Sequence, residues 1–390
     1  MDELSDWLMR QALLEPELQD LFAGCAQRLH AAGIPLHRAI LGYSTLHPLY
    51  KSRTLHWNLG EEVRIVPHEH SDTPNPEWEN SPLNFMIRNS LTFLRRRLTG
   101  PDAMIDFEFL ENLQLDGGSD YLAYAVSFRE DKMAMTAASG VIGSWSTQRP
   151  GGFSDSDIRA LQRVQNQLAV AVKVKIKDEI ATNVMSAYLG PVAGQKVLNG
   201  LIQRGDGESI PAIIWYSDLR QSTQLAEKLG SEKFMQMLNH YFECTAGAIL
   251  ENGGEVLRFV GDAVLATFPL GNKRITRSSG RKLVAAVRSA LAGMKALQEQ
   301  GLPVNFGIGL HCGEVLSGNI GVPTRLEFTV IGATVNEVAR IEDLTKKLKS
   351  PVLISQELAA NLECELVSLG THNVKGVGRG IEVFTLPELS

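Results

Sequence analysis

Two aspartates far apart in the chain give the first hint of chemistry. Asp218 follows the strand-like run Ala212–Tyr216 in Trp-Tyr-Ser-Asp-Leu-Arg, and Asp262 sits in the tight turn Phe259-Val260-Gly261-Asp262-Ala263. A carboxylate at a strand end and another in a hairpin turn can face each other on neighbouring strands. Paired carboxylates suit a two-Mg2+ site: they are hard oxygen ligands, and substrate phosphates complete the octahedra. Taken singly, Asp218 reads more simply as the cap of a helix starting near Ser222, and Asp262 as a turn residue. Asn336 and Arg340 stand four residues apart in Thr-Val-Asn-Glu-Val-Ala-Arg, a spacing that puts both on one helix face. Lys375 lies in Val-Lys-Gly near the C-terminus. Taken alone, Arg340 and Lys375 read as solvated surface charges.

The elements that must position these residues follow from periodicity. Pro211–Tyr216 reads as a buried strand, Ser231–Asn252 as a helix, and Glu255–Val260 and Ala263–Phe268 as strands flanking the turn. Residues 279–300 read as helix, Val304–His311 and Glu327–Ile331 as strands, and Ala333–Lys349 as helix, with strands at Val352–Ile354 and Ile381–Thr385. This βαββαβ order is the ferredoxin-like split pattern, an antiparallel sheet with helices on one face. Upstream, Ser154 and Asp157 resemble a capping box. Ile158, Leu161, Val164, Leu168, Val172, Ile176, Ile180 and Val184 then recur every three or four residues, so 154–185 reads as one long connecting helix. Its apolar stripe suggests a parallel coiled coil between two chains.

The chain has 390 residues, enough for two or three domains, with 44% apolar and 21% charged residues. Those proportions exclude a disordered or collagen-like chain. A net charge of −6 gives no general reason to bind nucleic acid. No apolar run approaches the roughly 18 residues that span a bilayer, and the acidic N-terminus lacks the pattern of a signal peptide. Cys25, Cys244, Cys312 and Cys364 form no CxxC pair and read as reduced thiols, so the cytoplasm is the expected compartment.

The segments IIWYSDLRQST, EVLRFVGDAVLATF, RLEFTVIGATVNEVAR and NVKGVG occur in this order. Together they resemble the catalytic domain of class III adenylyl and guanylyl cyclases over residues 186–390. The resemblance implies that Asp218 and Asp262, with the Leu219 carbonyl, hold two Mg2+ or Mn2+ ions per site. It implies that the backbone N–H groups of Arg220 to Thr223, Ser222 among them, cradle the β- and γ-phosphates. Asn336 would orient the ribose, Arg340 would offset charge on the α-phosphate, and Lys375 would contact phosphate. Arg258 and Thr329 occupy the base-selecting positions. Thr329 fits the Thr subclass, which uses ATP; Arg258 fits neither the usual Lys of ATP users nor the Glu of GTP users. Gln221 stands where a glycine is commoner, which brings a loss of backbone freedom. The implied protein is a homodimer with sites at the interface that makes cyclic AMP from ATP. The alternatives are cyclic GMP synthesis from GTP and a silent nucleotide-binding or dimerisation module.

Residues 1–153 read as an α+β module resembling a GAF-type sensor for an unknown small-molecule effector. The expected strands are Arg38–Tyr43, Glu62–Val66, Asp106–Leu110, Tyr121–Phe128 and Ala138–Ser144, with His68–Pro82 as a polar loop. His56, His68 and His70 read as solvated loop histidines, Arg95–Arg97 as a basic run at a helix end, and Cys25 as core.

Overall fold

The computed structural model describes residues 2–14, 16–73, 75–128, 140–268, 270, 274–374 and 378–389. Lys375, and the first two residues of the strand expected at 138–144, lie outside them. The chain divides into two compact α+β units, 1–187 and 188–390. Among the described residues no helix is long and apolar enough to cross a membrane.

The first unit runs α1 (Asp2–Leu14), α2 (Leu18–Ala31), β1 (Arg38–Ser44), β2 (Tyr50–Asn58), β3 (Arg64–Glu69), α3 (Pro76–Glu79), α4 (Pro82–Arg88), β4 (Phe93–Arg97), α5 (Glu108–Leu115), β5 (Asp120–Ser127), β6 (Gly140–Thr147) and α6 (Asp155–Leu189). Its antiparallel sheet has the order β3-β2-β1-β6-β5-β4. Ala39, Leu41 and Tyr43 of β1 meet Phe22, Cys25 and Leu29 of α2 on one face. Met86, Leu110 and Leu113 meet Leu94 and Tyr121 on the other.

Four expectations for this unit are corrected. The strand expected at Asp106–Leu110 gives way to α5, whose Leu110 and Leu113 sit three apart on its buried face. The segment His68–Pro82 is not a plain loop. Asn75 and Ser81 cap α3 and α4, and Pro76 and Pro82 take the first helical positions, where a missing N–H costs nothing. Arg95–Arg97 belong to strand β4 rather than a helix end, and Arg95 pairs with fully buried Asp120 and Arg96 with Asp106. His56 and His68 lie on strands and share the Thr54 hydroxyl, and burial pushes His56 down to about 4 and lowers His68.

The expected cap of the long helix is reciprocal: the Ser154 N–H donates to Asp157 Oδ2 (2.8 Å) and the Asp157 N–H to Ser154 Oγ (3.2 Å). The stripe Leu161, Val164, Leu168, Val172 and Ile176 is buried in the unit's own core. Over that length it is covered without a second chain.

The second unit runs α7 (Pro191–Leu198), β7 (Gly207–Leu219), α8 (Ser222–Leu229), α9 (Ser231–Phe242), a π turn at Glu243–Gly247, α10 (Ala248–Glu251), β8 (Glu255–Val260), β9 (Ala263–Phe268), α11 (Arg277–Glu299), β10 (Phe306–Val322), β11 (Arg325–Ile331), α12 (Ala333–Leu348), β12 (Val352–Ser355), α13 (Gln356–Ala359), β13 (Val367–Asn373) and β14 (Gly380–Thr385). The sheet order is β13-β14-β12-β10-β7-β9-β8, with β11 beside β10. Among the described residues of this sheet, only the β10–β12 pairing is parallel.

The βαββαβ core is present, but helices cover both faces rather than one. Strand side chains alternate with a period of two. Ile213 and Trp215 of β7 therefore meet Tyr241 and Leu283 on one side. Ala212 and Ile214 meet Val338 of α12 on the other.

Candidate active site

Antiparallel register brings the two aspartates together. Asp218, near the end of β7, is paired with Ala263 on β9 and with Gly307 on β10. Val260 and Ala263 close the β8–β9 hairpin, leaving Gly261-Asp262 as its two-residue turn. Gly261 has φ 63°, the left-handed conformation that such turns demand and glycine adopts without strain. Asp262 thus follows a residue that lets the chain reverse at once, beside the end of β7. Burial pushes the Asp218 carboxyl up from its ordinary value; a hydrogen bond from Lys346 opposes this, and the charge of Asp262 adds to it. The influence of the Asp262 charge on Asp218 accords with two carboxylates near each other.

Helix α12 supplies the surroundings. Lys346 Nζ lies 3.0 Å from Asp218 Oδ2, 3.9 Å from Glu342 and 4.0 Å from Asp343. Glu342 is 1% exposed, and burial raises its pKa to about 7. The Thr345 hydroxyl donates to Glu342 Oε1 (3.2 Å). Gly307 makes room for both, since a Cβ there would fall 2.4 Å from Glu342 Oε1 and 2.3 Å from Thr345 Oγ1.

The loop after β7 leads into α8. Leu219 buries its side chain in the core. The Arg220 N–H donates to the Asn305 carbonyl (2.8 Å), and its guanidinium to Thr345 Oγ1 (3.0 Å). Of the four amides expected to cradle phosphate, the one at Arg220 is therefore already engaged. Gln221 holds φ 57°, ψ 29°, the left-handed conformation a glycine would take without strain. Ser222 and Thr223 open α8, where N–H groups and the helix dipole favour an anion.

The other expected residues lie apart from this group. Arg258 Nη1 on β8 pairs with Glu327 Oε1 on β11 at 2.9 Å. Thr329, two residues further along β11, is 1% exposed. Arg258 Nε and Thr329 Oγ1 are both buried with no hydrogen-bond partner in the structure, so each has bonding capacity for a polar ligand. Asn336 and Arg340 are exposed, while Val338 and Ile341 of the same helix are fully buried. At 100° per residue, Asn336 and Arg340 point away from the sheet that carries the aspartates.

Sequence reasoning missed three residues: Lys346, Glu342 and Glu327. The first two form an i, i+4 pair on the predicted helix, which could have flagged them. Nothing local marks Glu327, because its partner comes from another strand.

No cluster of three or more His, Cys, Asp or Glu side chains able to hold a metal occurs among the described residues. The carboxylates of Asp218 and Asp262 are nevertheless hard oxygen donors of the kind a divalent ion takes together with water and phosphate oxygens. The Lys346 ammonium on Asp218 gives that carboxylate a cationic partner in this structure.

Residues 208–387 match the family described as the adenylate and guanylate cyclase catalytic domain. The adenylate cyclase of Anabaena cylindrica is 30% identical over 246 residues, covering 58% of this chain and 48% of that protein. A terminal-differentiation specific adenylate cyclase of Dictyostelium discoideum is 28% identical over 221 residues, covering 54% of this chain and 9% of that protein. The chain thus spans about half the length of the first of these relatives and a small part of the second. A bacterial light-regulated adenylyl cyclase structure aligns with a TM-score of 0.49 at 20% identity, over 64% of this chain and 84% of that one. The guanylyl cyclase Cya2 aligns with a TM-score of 0.40 at 31% identity, over 46% and 92%.

Proposed function

Residues 208–387 form a class III nucleotide cyclase catalytic domain, and from that premise we propose that the protein is an adenylate cyclase, converting ATP to 3′,5′-cyclic AMP and pyrophosphate. The observation that carries this reading is the meeting of Asp218 and Asp262 at neighbouring strand ends, beside a loop that opens a helix. Bound there, two Mg2+ or Mn2+ ions would acidify the ribose 3′-hydroxyl and neutralise the triphosphate. Asp218, Asp262 and the Leu219 carbonyl would hold the ions. The amides of Gln221, Ser222 and Thr223 would take the β- and γ-phosphates. Asn336 would orient the ribose, and Arg340 and Lys375 would offset phosphate charge. The chain's work is positioning and charge neutralisation, with no side-chain nucleophile.

Asn336 and Arg340 face away from the aspartates of their own chain, which supports a homodimer. One copy would give the metal carboxylates, and the other Arg258, Thr329, Asn336, Arg340 and Lys375. Residues 1–153 would act as a GAF-like sensor for a small-molecule effector, and their deletion should change basal turnover.

For the base, Thr329 and the named activity of the Anabaena relative favour ATP. One observation favours GTP: Glu327, paired with Arg258, is an acceptor for the guanine N1–H, which Arg258 is not. Purified protein incubated with ATP or GTP, and with Mg2+ or Mn2+, decides between them once the cyclic product and pyrophosphate are identified. Cyclic AMP is expected. Cyclic GMP would favour the second reading, and no product from either nucleotide would leave a silent binding module.

A further inference from the structure

Lys346 belongs to none of the motifs that suggested the site, yet its ammonium makes the closest side-chain contact to Asp218, at 3.0 Å. It stands in the last turn of α12, where a cation is favoured by the helix dipole. Two further carboxylates of the same helix, Glu342 and Asp343, lie within 4.0 Å of it. Its side chain is 45% exposed, so solvent reaches it and the stem has room to swing. Lysine suits this place better than arginine: it is a point charge on a flexible stem, not a fork locked to one carboxylate geometry.

Resting on the metal reading above, we propose that Lys346 is a tethered counter-cation. It holds Asp218 in the metal-free protein and is displaced when divalent ions arrive, so it competes with metal for that carboxylate. Without a cation, Asp218, Asp262 and Glu342 would repel one another and their side chains would splay, although the backbone hydrogen bond from Leu219 to Asp262 keeps the β7 end beside the hairpin turn. With Lys346 in place the carboxylates stay gathered. A divalent ion carries twice the charge and takes several oxygen ligands at once, so it outcompetes a single ammonium. Lys346 then retains Glu342 and Asp343 as partners on its own helix.

The test measures Mn2+ binding to the full chain by the free-ion electron paramagnetic resonance signal, in wild type, Lys346→Gln, Lys346→Arg and Asp262→Asn. Lys346→Gln should tighten Mn2+ binding about five- to tenfold, and Lys346→Arg should bind no tighter than wild type. A second readout uses unaltered protein: acetylation of Lys346 by acetic anhydride, followed by mass spectrometry, should quicken severalfold on adding Mg2+. Unchanged or weaker Mn2+ binding in Lys346→Gln, or acetylation indifferent to Mg2+, would overturn the proposal. If wild type binds Mn2+ no better than Asp262→Asn does, the metal reading itself fails, which is a separate outcome. Should Lys346→Gln not fold, the acetylation readout decides alone.

Discussion

The backbone N–H of Leu219 donates to the carbonyl of Asp262 at 3.3 Å, which ties the strand end carrying Asp218 to the turn carrying the second aspartate. The backbone segments that carry the two aspartates are therefore tied together by main-chain geometry, before any ligand is considered. Neutral substitutions there should spare the fold and remove the charge.

Asp262→Asn and Arg340→Ala should each lower cyclase turnover by about 100-fold or more, since the first removes a metal-holding carboxylate and the second a cation placed against the phosphates. Mixed in equal amounts, they should recover about a quarter of wild-type activity. About half the dimers would be mixed, and each mixed dimer would hold one intact site of two. Turnover of the mixture, checked alongside its oligomeric state, measures this. Activity no higher than that of the separate variants would show that the sites are not shared.

Gln221 bears a left-handed backbone without being glycine. That conformation costs an ordinary side chain roughly 1–2 kcal/mol, part of which glycine's greater unfolded-state freedom offsets. Gln221→Gly should raise the melting temperature of the second unit by about 1–3 °C, and Gln221→Val should lower it. Calorimetry on the two variants checks both directions.

Glu342 is buried, and burial lifts its pKa from the ordinary carboxyl value of 4.5 to about 7. Between those values the folded state holds a proton that the unfolded state releases. Stability from this group is thus full below about 4.5, falls as pH rises towards 7, and is lost above it. Glu342→Gln, which keeps an acceptor for Thr345, should stabilise metal-free protein at pH 8 and make little difference at pH 4.5. Denaturant midpoints at the two pH values measure this, and a gain at pH 4.5 as large as at pH 8 would contradict it.

What the sequence determined by itself was local. Turn chemistry at Gly261-Asp262, the capping pair Ser154 and Asp157, the stripe of α6 and the i, i+4 spacing of Asn336 and Arg340 are short-range patterns, and the structure has each element where the pattern put it. The unusual glutamine at 221 was also visible, because the family resemblance leads one to expect a glycine more often at that place. What the tertiary structure decided was which distant groups meet. Lys346 reaches Asp218 because α12 docks across β7, and Arg258 finds Glu327 because β11 comes up to β8. Tertiary packing set Arg95 and Arg96 of the basic run into ion pairs, with Asp120 of β5 and with Asp106 in the loop before α5. A helix's period or a turn's glycine is set by neighbours in the chain, whereas an ion pair between strands depends on the packing of the whole sheet.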